Sequence, residues 1–304
     1  MRFVALVVSA ALGLTAASVP EPVAILFIGN SFTFGDGSPV KTWRSDSVND
    51  LNHENIGGVP ALFKSFTKQA GFDYDVALET HPGVGLDYHL KNRREVVGSR
   101  PWDVVIMHGF STLDSDKPGD PTKLIATARE MAAFLVKRNP KVEIRLTATW
   151  PRADQTYPPK GHWYGQPITA MARDVRAAYD KAATTSLAIK SVIAVGEAWL
   201  RAMDTHVADP NPYDGIAEGQ INLWGRDHYH ASTEGYYLEA LMVFGDVTGR
   251  DPRSLGEAEC SAFELGLPPP TVKALQQVAF DQLAVTRTVT PALPAMATPA
   301  RCAP

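Results

Sequence analysis

The sequence predicts an α/β fold, a three-layer α/β/α sandwich built on a five-stranded parallel sheet. Three observations point to it. Short continuous apolar runs read as strands covered on both faces. Segments of helical period alternate with them. No linker or break in composition divides the chain before about residue 250. In order, Val23–Ile28 is the first apolar run and ends at Gly29-Asn30-Ser31. Val59–Ala70 reads as a helix, Tyr74–Leu78 as a strand, Tyr88–Val97 as a helix and Trp102–Met107 as a strand. Lys123–Arg138 has Leu124, Ile125, Ala128, Met131, Ala132 and Leu135 at helical spacing, and Pro140 closes it. Val142–Ala148 and Ser191–Val195 are the last two strands, with a helix over Ile168–Thr185 between them. Thr233–Val247 and Val272–Leu283 complete the helices. Strands joined through helices make right-handed crossovers, and such sheets bind ligands beyond the carboxyl ends of their strands.

Composition narrows the class. The 304 residues are 45% hydrophobic, enough to fill a large core. Lys and Arg number 29 against 33 Asp and Glu, so there is no basic excess for nucleic acid or anionic lipid. Met1-Arg2, the apolar run Phe3–Leu14 and the small residues Thr15-Ala16-Ala17-Ser18 read as a signal peptide over residues 1–18. The run is short for a bilayer core of about 30 Å. No cysteine stands near the cleavage zone to carry a lipid, so no stable membrane anchor is expected. The expected location is periplasmic or secreted. The expected organisation is a signal peptide (1–18), one catalytic-type domain (19–255), and a C-terminal helix with a Pro/Ala-rich tail (256–304). An oxidising compartment would let the two cysteines, Cys260 and Cys302, join and pin the tail to the body; two free thiols are the alternative.

The residues just after the strands carry the chemistry. Gly29-Asn30-Ser31 places a serine at a strand-to-helix turn, where its hydroxyl reaches over the sheet edge. Near the other end, Asp227-His228-Tyr229-His230 precedes a helix start at Ser232-Thr233-Glu234. An Asp three residues before a His can bind one ring nitrogen and leave the other to act as a base. The competing reading of the same segment is a metal pair, His228 with His230, which needs further ligands such as Asp36 or His53.

Ile28-Gly29-Asn30-Ser31 near the start, with Asp227-x-x-His230 near the end, resembles the SGNH (GDSL-type) hydrolase superfamily. The resemblance covers about Val23 to Gly249 and implies a flavodoxin-like sheet. It implies Ser31 as nucleophile, His230 as base and Asp227 as the acid that orients it. It also implies oxyanion donors from the Ser31 N–H, from a glycine after the second strand, and from an Asn after the third. Gly83-Val84-Gly85 offers two glycines, of which Gly85 fits better. His108-Gly109-Phe110-Ser111 puts Ser111 where the family has Asn, and Asn30 stands where the common motif has Asp. These departures resemble a divergent bacterial subgroup.

The remaining expectations concern substrate. Trp150-Pro151-Arg152 ends the fourth strand and Trp199 follows the fifth. Trp43, Trp150, Trp163, Trp199 and Trp224 fall near the active edge, where flat rings suit sugar faces and core packing is the alternative. His108, Trp150, Arg152 and Trp163 are the expected substrate contacts, with Arg152 and Arg226 suited to a substrate carboxylate and pairing with nearby acids the commoner alternative. The long connection Phe34–Pro60 reads as a lid. The resulting expectation is an exported serine esterase acting on a small or oligosaccharide ester, such as an acetyl or short acyl group on a carbohydrate. It needs neither metal nor other cofactor. The alternatives are a glycan-binding protein with little turnover, and a metal-dependent phosphoesterase using His228, His230 and Asp227.

Overall fold

The first strand shows how the layers arise. In the computed structural model, which describes residues 21–285, β1 (Val23–Gly29) lies inside the sheet and is buried from Ala24 onward. Its alternate side chains feed two separate cores. Ile25 and Phe27 enter one, and Ala24, Leu26 and Ile28 the other. A strand apolar at every position is the consequence.

Five more strands follow: β2 (Asn49–Asp50), β3 (Tyr74–Thr80), β4 (Val104–Met107), β5 (Glu143–Ala148) and β6 (Ile189–Ala194). All pair in parallel, in the order β2-β3-β1-β4-β5-β6. The sheet therefore has six strands rather than five. The extra one is a two-residue edge strand, too short to leave a pattern in the sequence.

The helices are α1 (Ser31–Phe34), α2 (Gly58–Gln69), α3 (Leu86–Asn92), α4 (Arg94–Val97), α5 (Thr122–Arg138), α6 (Ala153–Thr156), α7 (Thr169–Ala183), α8 (Val195–Asp204), α9 (Thr233–Thr248), α10 (Cys260–Glu264) and α11 (Pro269–Val285). Helices α3, α5 and α7 cover the face shared by Leu26 and Ile28. Helices α2, α8, α9 and α11 cover the face of Ile25 and Phe27. This is the three-layer α/β/α arrangement. The stretch read as one helix over Tyr88–Val97 is two, because Arg93 leaves helical backbone at φ −126°.

Two expectations about organisation change. Phe34–Pro60, read as a lid, is built partly into the core and the sheet. Val40 and Ile56 are buried in the core, and β2 pairs with β3 through Asn49–Ala77 and Asp50–Leu78. The Asp50 carboxylate also accepts from the N–H groups of Asn52, Glu54 and Ile56, so the loop is folded around a buried acid. Second, a boundary at 255 does not divide the core. Helix α9 is buried at every position from Gly235 to Asp246. A helix apolar on all sides needs cover on all sides. Val272, Leu275, Val278, Ala279 and Leu283 of α11 supply the outer cover. The signal-peptide residues 1–18, the Pro/Ala-rich tail and Cys302 lie outside the described residues. Cys260, at the start of α10, is inside them.

Candidate active site

Ser31 stands directly beyond β1 as the first residue of α1. Gly29 precedes it for a steric reason: a Cβ there would lie 2.0 Å from Thr33 Oγ1 and 2.6 Å from His108 Nε2. Asn30 caps the turn, its Oδ1 accepting from the Phe32 N–H at 3.1 Å. Its Nδ2 donates to Val84 O at 2.8 Å and to Gly109 O at 3.4 Å. One side chain thus ties the loops after β1, β3 and β4 together. A carboxylate in its place has no proton for either carbonyl, which explains Asn where the resembled motif has Asp.

The helix α9 holds the same turn from the other side. The Tyr236 hydroxyl lies 3.2 Å from Ser31 O and 3.0 Å from Asp36 O. Below the turn, Thr33 Oγ1 is 2.7 Å from His108 Nε2, and His108 Nδ1 donates to Gly109 O at 2.9 Å. Burial drives the His108 pKa down from 6.5 to about 4, so the ring is neutral.

At the other end of the chain, Asp227 Oδ2 lies 2.6 Å from His230 Nδ1. The other carboxylate oxygen accepts from the N–H groups of Tyr229 and His230. Partial burial works against the charge, yet the His230 bond and these two N–H groups hold the Asp227 pKa below its ordinary value. Asp227 is therefore ionised and holds the His230 ring through its Nδ1. The Asp36 carboxylate stands 3.9 Å from His230 Nε2 and also pairs with Lys41. Among the described residues Ser31 Oγ makes no hydrogen bond to His230. The two blocks meet through Phe32 instead, whose ring centroid is 5.9 Å from that of His230. Catalytic hydrogen bonds are often loose before substrate binds. His228 turns away, its ring 4.4 Å from that of Tyr213, so it does not stand beside His230 as a second ligand would.

The two glycines after β3 differ. A Cβ on Gly83 would meet nothing within 4 Å. One on Gly85 would lie 3.3 Å from Phe110 N, so Gly85 is the glycine packed against the loop after β4. Neither the Ser31 nor the Gly85 N–H has an acceptor among the described residues. Nearby, a buried ion pair fixes α3 to β3. His89 Nδ1 bonds Glu79, Arg93 Nε donates to the same carboxylate at 3.1 Å, and these partners keep the Glu79 pKa low against its burial. The position of Gly85 at the head of α3 follows from that anchor.

The expected substrate contacts are corrected. His108, Trp150 and Trp163 are buried and do not present a face to a ligand. Trp150 is stacked between Phe32 at 3.9 Å and Trp199 at 5.0 Å, and Trp224 packs edge-on against Trp199. The indole N–H groups of Trp150 and Trp224 explain part of the arrangement. Trp150 Nε1 donates to Tyr229 O and Trp224 Nε1 to Pro151 O, fastening the Asp227–His230 segment to the loop after β5. Trp163 Nε1 donates to Asp174. Trp150, Trp199 and Trp224 form the floor beneath the site, while Trp163 packs in the core on the other face of the sheet. Arg152 has its Nε–Nη2 edge filled by Asp154, at 2.9 and 2.7 Å, so that edge is closed to a substrate carboxylate. Its Nη1 donates to Ser111 Oγ at 3.1 Å, and its guanidinium lies 3.6 Å from the centre of the Tyr229 ring.

Sequence reasoning missed Tyr236, Thr33, Phe32 and the tethering role of Asn30. Only Asn30 carried a local signal, as a turn former; Tyr236 is distant in sequence, and Phe32 and Thr33 gain their roles from the distant Trp150 and His108.

The six-stranded parallel sheet between two helical layers carries Ser31 beyond β1 and the Asp227–His230 pair ahead of α9. Among solved structures, the chain is similar to a DUF4886 family protein from Bacteroides uniformis, at 19% identity and a TM-score of 0.58 over 89% of this chain and 98% of that one. It is similar to a GDSL-like lipase from Parabacteroides merdae, at 15% identity and a TM-score of 0.52 over 76% and 98% of the two chains. It is also similar to an acetyl xylan esterase, at 16% identity and a TM-score of 0.50 over 74% and 100%. At these identities the likeness is one of fold. No family model matches the sequence, and no curated protein matches it.

Proposed function

We propose that the protein is a serine esterase. The observation that carries this reading is the Asp227–His230 pair, 2.6 Å apart, on the same sheet edge as Ser31. Ser31 Oγ attacks the ester carbonyl and forms a C–O bond, while His230 Nε2 takes the hydroxyl proton. The carbonyl electrons move onto oxygen, which the free N–H groups of Ser31 and Gly85 receive. The tetrahedral adduct collapses and expels the alcohol, which takes the proton back from His230. Water then cleaves the acyl-enzyme by the same route in reverse. A short acyl group such as acetyl on a carbohydrate is the substrate class we favour; the fold likeness to an acetyl xylan esterase supports it. The Met1–Ser18 pattern supports an exported protein.

The test is hydrolysis of p-nitrophenyl acetate and acetylated oligosaccharides, with fluorophosphonate labelling alongside. Ser31→Ala should abolish the label and reduce hydrolysis to the residual rate expected without a nucleophile. Equal labelling of wild type and Ser31→Ala would sink the assignment and leave the glycan-binding alternative.

A further inference from the structure

Ser111 stands where the resembled family has an asparagine amide, and a lone serine hydroxyl is a poor replacement because it rotates freely. Here it is not lone. Ser111 is buried, and its Oγ accepts from Arg152 Nη1 at 3.1 Å. That is its one hydrogen bond among the described residues. A hydroxyl that accepts along one lone pair keeps its own proton to donate elsewhere, in a direction the acceptor geometry restricts. Arg152 is itself fixed. Asp154 grips it through two bonds, and the Tyr229 ring covers its face at 3.6 Å. Tyr229 belongs to the Asp227–His230 segment, and its ring lies 4.0 Å from that of His230.

The location suits an oxyanion. Asn30 Nδ2 bonds Gly109 O, which holds the loop bearing Ser111 against the Ser31 turn. Gly85 packs against Phe110 N in the same loop. The loops after β1, β3 and β4 therefore converge, which brings the loop bearing Ser111 to those bearing the two free N–H groups.

Resting on the Ser31 reading above, we propose that Arg152 is a positioning residue that turns Ser111 into the third oxyanion donor. The Arg152 N–H bond orients and polarises the Ser111 hydroxyl. The Ser111 O–H then donates to the carbonyl oxygen as Ser31 Oγ bonds to the carbonyl carbon and negative charge develops. A cationic donor strengthens the donation beyond that of a neutral hydroxyl chain. The arrangement moves the family's amide function onto a two-residue relay. It also assigns Arg152 a role within the reaction in place of substrate recognition.

The experiment measures kcat and KM on p-nitrophenyl acetate, and the rate of Ser31 labelling by a fluorophosphonate, whose phosphoryl oxygen occupies the oxyanion position. Variants are S111A, R152M, S111A/R152M and S111N/R152M, with Ser31→Ala as the control. S111A should lower kcat by about 100-fold with KM nearly unchanged. R152M should lower it by about tenfold or more, with the same KM pattern. The double variant S111A/R152M should be no worse than S111A, because one relay is lost in both. S111N/R152M should regain about tenfold over R152M, since an amide donates without the guanidinium. The labelling rates should follow the same order. Losses that multiply in the double variant, a rise confined to KM in R152M, or no rescue by S111N would overturn the relay. If R152M fails to fold, S111A and S111N in the Arg152 background decide. A kcat within twofold of wild type for S111A overturns the proposal. Label and turnover that persist in Ser31→Ala would overturn the serine-esterase reading instead.

Discussion

Protonation of His108 offers a direct check on the frame beneath the Ser31 turn. The ring is sealed between Thr33 Oγ1 at 2.7 Å and Gly109 O at 2.9 Å, and burial lowers its pKa from 6.5 to about 4. Both bonds are satisfied by the neutral ring with its proton on Nδ1. The unfolded chain takes up a proton as pH falls through about 6.5, whereas the native chain resists until about 4. The contribution to stability is therefore complete above 6.5 and is lost progressively as pH drops to 4. That interval corresponds to roughly 3 kcal/mol at about 1.4 kcal/mol per pH unit. His108→Gln keeps one donor and one acceptor but cannot titrate. Urea unfolding of both proteins between about pH 7 and pH 4 isolates the effect, since every other acid-sensitive group is common to the two. The stability advantage of wild type over variant should shrink by roughly 3 kcal/mol across that range. A difference that stays constant with pH would refute the buried neutral imidazole. So would a His108 ring-proton resonance titrating near 6.5.

Two further outcomes follow from buried groups around the same turn. Asn30→Asp should destabilise the fold by roughly 1–3 kcal/mol for each carbonyl left without its donor, and more strongly at pH 8 than at acidic pH, where a protonated acid can donate. Thermal unfolding measures it, and a wild-type transition at pH 8 would contradict the tethering role. Glu239 on α9 is buried with no partner for Oε2 among the described residues, and desolvation raises its pKa well above 4.5. The native acid stays neutral while the unfolded chain ionises, so this group costs stability as pH rises above 4.5. Glu239→Gln should accordingly gain stability over wild type as pH increases from about 5 to 8, and an advantage that shrinks with rising pH would show that the carboxyl is ionised in the fold.

What the sequence carried, it carried locally. The layers were legible because β1 is apolar at consecutive positions and α5 repeats its apolar residues at helical spacing. The place of Ser31 at a turn before a helix and the Asp227–His230 contact were legible because both are short-range patterns. The edge strand β2 left no trace, since two residues cannot show a period. The tryptophans misled for a different reason. A ring that roofs a sugar and a ring that floors a site share position and composition, and only contacts separate them. Trp150, between Phe32 and Trp199, is a floor. For Arg152 both a substrate carboxylate and a neighbouring acid were open, and the contacts with Asp154, two residues away, select the second for its bidentate edge.

The C-terminal helix gains meaning from the same logic of contacts. Helix α9 begins at the loop that carries His230 and, one turn in, extends Tyr236 to the carbonyls of Ser31 and Asp36. It thereby bridges both halves of the site. A helix in that position must be held rigidly, yet its own sequence, Tyr236 to Phe244, offers no polar face to water. Cover from α11 removes that apolar surface, at about 25 cal/mol per Å² buried. Residues 269–285 thus support the edge that bears Ser31 and His230 without approaching it. Their distance from Ser31 in sequence hides this link: the chain folds back over α9 to fix the element that fixes the Ser31 turn.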